Sequence, residues 1–109
     1  AIGKEVSLQV AGLIKKLPNE RLFWIISDQL LRASFSVGAN IVEGFGRYKG
    51  KEYQRFLLIA LGSANETEYW LELLKDLSPS IISDIEIILR KNKETIRMLV
   101  ATLKTLSSK

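Results

Sequence analysis

The chain has no cysteine and no histidine among its 109 residues. The first absence excludes disulfides, thiolate metal sites and cysteine nucleophiles. The second removes the commonest general base, the commonest metal ligand and any imidazole pH switch. Proline occurs twice, at Pro18 and Pro79, so the chain has only two hard breaks for a helix. No apolar run approaches the ~20 residues that would cross a bilayer, because polar residues interrupt every stretch. The opening Ala1-Ile2-Gly3-Lys4 carries no signal-peptide pattern, and no membrane partner is expected. The expected location is the cytoplasm. The chain also opens without a methionine, so a few preceding residues are expected to be missing or processed away.

What remains is an ordinary globular composition, 47% hydrophobic and 26% charged, with a net charge of +4. At this length a single domain with its own core is expected. The mild basic excess is compatible with nucleic acid and equally with a solvated surface.

Apolar residues recur at helical spacing throughout. Val6, Val10, Leu13 and Leu17 form one stripe, predicting a helix over about 2–17, ended by Pro18-Asn19. A second helix is predicted over about 20–44. Its main stripe is Phe23, Ile26, Leu30, Ala33, Val37 and Ile41, beside a second row of Leu31, Phe35, Val42 and Phe45. Asp28/Arg32 and Glu43/Arg47 stand four apart and are expected to pair. Three glycines in the seven residues 44–50 predict the central turn. A third helix over about 51–77 places Tyr53, Phe56, Leu57, Ala60, Ala64, Thr67, Leu71 and Leu74 inward, and Ser78-Pro79-Ser80 ends it. The fourth, over about 81–107, has the cleanest period: Ile85, Leu89, Asn92, Ile96, Leu99, Leu103 and Leu106 alternate spacings of four and three. Asn92 in that seam is expected to set register or to face solvent at an end. Four helices with short connections and no strand pattern predict an all-α, antiparallel up-down-up-down four-helix bundle.

Helices two and three are apolar over more than one stripe. Trp24, Leu31, Phe35 and Trp70 lie off the inner faces, with Leu58 and Leu61, and this surplus points to self-association.

The stretch Ser36-Val37-Gly38-Ala39-Asn40-Ile41-Val42-Glu43-Gly44-Phe45-Gly46-Arg47 resembles the S-I-P-x-N-I-A-E-G-x-G-R signature of the 23S rRNA intervening-sequence protein family. The likeness continues upstream at Gln29, Arg32 and Ala33. Downstream it runs through Lys51-Glu52-Tyr53, Phe56 to Ser63 with Gly62, and Glu66 and Glu68. It is dense from Gln29 to Glu68, and two departures stand out: Gly38 replaces a usual proline and Leu31 a frequent arginine. Either residue at 38 weakens a helix midway, so a bend is expected there. The resemblance implies a four-helix bundle that assembles as a homopentamer. It also implies kinship with the accessory subunit of diversity-generating retroelements, which binds a reverse transcriptase and nucleic acid. It implies no defined biochemical role for most members.

The chemical candidates are few. Gly44-x-Gly46 lacks the strand and third glycine of a dinucleotide loop, so a tight helix–helix turn is expected. Glu66, Glu68 and Glu72 cannot form the Glu-x-x-His site of carboxylate-bridged bundles without histidine, so no metal or cofactor is expected. Glu66 and Glu68 also stand two apart, on different helix faces. One of them is expected to pair with Arg32 or Arg47, bridging helices three and two. No catalytic set emerges and no enzyme is expected.

Two basic clusters remain. Arg90, Lys93, Arg97 and Lys104 fall within about 60° on helix four, away from its seam. Arg47, Lys49, Lys51 and Arg55 surround the central turn. Either could track a phosphate backbone, giving RNA or DNA as one partner class. A solvated face, or an adaptor surface for another protein, is the alternative.

Overall fold

The computed structural model describes residues 3–47 and 50–107. Four helices account for nearly all of them: α1 (Lys4–Ile14), α2 (Arg21–Arg47), α3 (Gly50–Leu77) and α4 (Ile82–Ser107), with a short 3-10 turn at Pro79–Ile81 before α4. Cross-helix contacts give the directions. Gly3 meets Gly38 and Ser7 donates to the Ser34 carbonyl, so numbering falls along α2 as it rises along α1. Ser36 meets Ser63 while Gly44 meets Tyr53 and Phe56, the same inverse relation between α2 and α3. Glu5 with Lys91 and Lys16 with Asp84 repeat it for α1 and α4. The result is the antiparallel up-down-up-down bundle, a rod of 47 × 19 × 19 Å.

The core divides along the rod. At one end Val6, Val10 and Leu13 of α1 pack with Phe23, Ile26 and Leu30, Leu71 and Leu74, and Ile85, Ile88 and Leu89. At the other end Val37, Ile41, Leu57, Ala60, Ala64 and Leu99 form a second cluster to which α1 contributes nothing. With only 11 residues, α1 spans less than half of the 26 to 28 residues of its neighbours.

Two expectations are corrected. The first helix is shorter than 2–17: its regular part ends at Ile14, four residues before Pro18. The second helix does not stop at Gly44 but continues through Gly44 and Gly46 to Arg47. Gly44 is buried in it, and a Cβ there would lie 3.3 Å from Phe56 Cβ and 3.4 Å from Tyr53 Cδ1. The missing side chain serves the close approach of α3, not a left-handed turn. Among these three glycines the positive φ belongs to Gly50, at 64°. Tyr48 and Lys49 lie outside the described residues. Gly38 lies within α2, and its bare backbone admits Gly3: a Cβ on Gly3 would stand 2.7 Å from Gly38 Cα.

Candidate nucleic-acid interface and assembly surface

The residues of the sequence signature form a joint between α2 and α3. Asn40 Nδ2 donates to the Ser36 carbonyl at 2.8 Å and to Ser36 Oγ at 2.9 Å, and Ser36 Oγ is 2.8 Å from Ser63 Oγ on α3. One helical turn further along, Gly44 seats Tyr53 and Phe56. Arg47 closes the joint: its guanidinium is 2.6 Å from Glu43 Oε2, 3.7 Å from Glu52 Oε2, and lies 4.8 Å from the Phe56 ring centre. A hydroxyl–amide relay, a close-packed glycine and a guanidinium shared by two carboxylates fix the relative register of two long helices.

The expected bridge from Glu66 or Glu68 to Arg32 or Arg47 is absent among the described residues. Arg47 is taken by its own helix neighbour Glu43 and by Glu52, which are closer along the chain. Glu66 Oε2 instead accepts from Trp70 Nε1 at 3.1 Å, one turn along α3, and Glu68 is partly buried on another face. Arg32 is exposed and makes no ion pair among the described residues, so the Asp28/Arg32 pair does not form either. Gly62, also in the signature, is exposed with open space where a Cβ would sit. Asn92 is fully buried and donates through Nδ2 to the Ala64 carbonyl of α3 at 2.9 Å, so it ties α3 to α4 from inside.

The two basic clusters differ in electrostatics. Around the turn, Arg47 is neutralised by Glu43 and Glu52, and Arg55 stands 3.7 Å from Glu52 Oε1. Lys51 is exposed, and Lys49 lies outside the described residues. On α4, Arg90, Lys93, Arg97 and Lys104 are all exposed, and none is within 4 Å of a carboxylate among the described residues. Glu94, the nearest candidate to neutralise them, turns the other way and pairs with Lys91 at 3.3 Å. Lys91 also reaches Glu5 of α1 at 3.2 Å. Hydrogen bonds to Glu5 and then Glu94 hold the Lys91 ammonium above the ordinary lysine range. The α4 stripe thus faces water with no carboxylate within 4 Å among the described residues, and Glu86, one turn before Arg90, is the acidic residue at its start.

The expected assembly residues separate as well. Leu31 and Trp70 are partly buried against the bundle's own core. Trp24 and Phe35 are exposed, at 58% and 49%, and are joined by Val42 at 66% and Phe45 at 50%. Positions 24, 28, 31, 35, 38, 42 and 45 alternate spacings of four and three, so Trp24, Leu31, Phe35, Val42 and Phe45 follow one line on the outside of α2. On α3, Leu58, Ile59 and Tyr69 are exposed too. Ile59 and Tyr69 escaped sequence reasoning because it counted positions against an ideal inner face and passed over their outward spacing.

No helix among the described residues is long and apolar enough to cross a membrane. The bundle with its α2–α3 joint defines a class of small helical proteins, and two comparisons specify which. The model of the 23S rRNA-intervening sequence protein family matches residues 2–101. A crystal structure from Bacteroides thetaiotaomicron superposes with a TM-score of 0.85 at 35% identity, covering 94% of each chain. That relative is described as a protein with unknown function from the S23 ribosomal protein family. No curated protein matches the chain. The chain belongs to the 23S rRNA-intervening sequence protein family.

Proposed function

We propose that this protein is a non-catalytic, self-associating bundle that holds RNA or DNA by its phosphate backbone through the outer face of α4. The observation that carries this is the contrast between the two basic clusters. Arginines of the turn are committed to Glu43 and Glu52, whereas Arg90, Lys93, Arg97 and Lys104 have no carboxylate partner among the described residues. Cations left unpaired on a rigid helix are free to displace counterions from a polyanion. Structured RNA is expected to bind with an affinity that falls steeply with salt. The combined change R90E/K93E/R97E is expected to abolish it. No binding at low salt removes the proposal.

A second reading, a protein-binding adaptor without nucleic acid, is favoured by the apolar line on α2. Trp24, Phe35, Val42 and Phe45 are exposed along one side of α2, and burying each such side chain contributes about 1.5–3 kcal/mol. We assign this line to contacts between copies of the chain, and the family resemblance suggests five copies. The two readings differ in what covers the α2 line, a second copy of the chain in the first and a different protein in the second.

A further inference from the structure

We propose that the ligand of α4 is a duplex, gripped across one groove by its two phosphate rows and preferred over a single strand of the same sequence. This rests on the nucleic-acid reading above and narrows its ligand. The spacing of the cations carries it. At 1.5 Å per residue, Arg90 to Arg97 spans about 10 Å of helix axis, with Lys93 between them, and Arg97 to Lys104 spans about another 10 Å. Between Arg97 and Lys104 the same side of α4 holds only Val100 and Ala101, small uncharged residues. Three cations, a smooth saddle and a fourth cation therefore follow one another on one side of a helix.

A duplex offers the complementary pattern. Two rows of phosphates flank a groove about 12 Å across in the major groove of B-form DNA, and the wide minor groove of A-form RNA presents a comparable pair. Arg90, Lys93 and Arg97 fit phosphates of one strand, the saddle lies over the groove, and Lys104 reaches the other strand. The spacing is held rigidly, because Ile85, Asn92 and Leu99 on the opposite side of α4 are fully buried.

A single strand binds differently. Proteins that hold it combine charge with aromatic platforms on which bases stack, each stack contributing about 1–3 kcal/mol. The α4 face has no aromatic residue. The exposed rings of Trp24, Phe35 and Phe45 are on α2, and Tyr69 is on α3. Charge at groove spacing without stacking surfaces selects for duplex shape and ignores base sequence.

The test is fluorescence anisotropy at low salt with a duplex of about 20 base pairs, its two separated strands, a scrambled duplex, and vesicles containing phosphatidylserine. The expected result is duplex binding at least about tenfold tighter than either strand, equal affinity for the scrambled duplex, and weaker attachment to vesicles. K104A, which keeps the helix, is expected to weaken the duplex selectively and lower its salt slope by about one per engaged subunit. Strands bound as tightly as the duplex overturn the inference while leaving the nucleic-acid reading intact. So do a K104A variant that loses strand and duplex equally, a sequence-dependent affinity, or tighter binding to vesicles. Failure of every nucleic acid removes the parent reading itself.

Discussion

Gly3 is held where no other residue fits: its φ is 88°, it is buried, and a Cβ would meet Gly38 Cα at 2.7 Å. Backbone opposes backbone here, so neither side can give way cheaply. G3A is expected to lower unfolding free energy by about 1–3 kcal/mol, read by denaturant titration, since strain and collision add. Gly62 is the opposite case. It lies in the interior of α3 with open space around its Cα, and G62A is expected to raise the stability of the isolated bundle by about 0.5–1 kcal/mol. An unchanged or lowered stability for G62A would mean that the conformation of α3 at this point has been misassigned. Glycine alone does not disclose which of these situations holds. Gly44 reads as punctuation because glycine breaks helices on average, yet it lies inside the last turn of α2 because Tyr53 and Phe56 need the room. That requirement arises only when two helices meet, so no local pattern announces it.

At the scale of elements, the long helices were legible because their apolar periods persist over seven or eight turns. Of the buried residues of α4, Ile85, Leu89, Asn92 and Leu99 fall on the stripe its spacing defines, whereas Ile88 and Thr95 are buried beside it and Ile96, Leu103 and Leu106 on the stripe are only partly buried. Ion pairs were not legible in the same way. Arg47 had carboxylates available on both helices, and chain proximity favoured Glu43 and Glu52 over Glu66 or Glu68. Asn92 leaves Oδ1 buried without a partner, while Nδ2 adds a bond to a carbonyl already placed in the α3 ladder. N92L is therefore expected to stabilise the fold by about 1 kcal/mol while loosening the α3–α4 register, which thermal unfolding and backbone amide spectra would show together. The short α1 is attached at its start by the Glu5–Lys91–Glu94 group. Because Lys91 is held above the ordinary lysine range in the folded state, its contribution is complete below that range. It is lost as pH rises through the raised folded value. The thermal midpoint of K91M is expected to lie slightly below that of the wild type at neutral pH. The two should converge once the pH passes about 10.4 and continues upward. A gap that widened with alkalinity would contradict the link.

At the scale of the whole molecule, two faces stand apart: an apolar line outside α2 and a charged line outside α4. The α2 line was partly legible, through the row Leu31, Phe35, Val42 and Phe45. Which of its members the bundle absorbs depended on α1, too short to cover the length of α2. F35D/V42D is expected to release free subunits while preserving helical circular dichroism. Light scattering after size exclusion reports it. A wild-type mass near 12.3 kDa at micromolar concentration would remove the self-association claim.

In the sequence the α4 line and the turn cluster stand as equals, because spacing alone ranks neither above the other. Only the placement of Glu43, Glu52 and Glu94 separates them, which makes the comparison of the two patches the most direct test. Binding of one structured RNA is measured at several salt concentrations for wild type, R90E/K93E/R97E and K51E/R55E. The account predicts that the α4 variant loses binding, and that K51E/R55E stays within about threefold of wild type with a similar salt slope. Binding that survives in the α4 variant and collapses in K51E/R55E would contradict it.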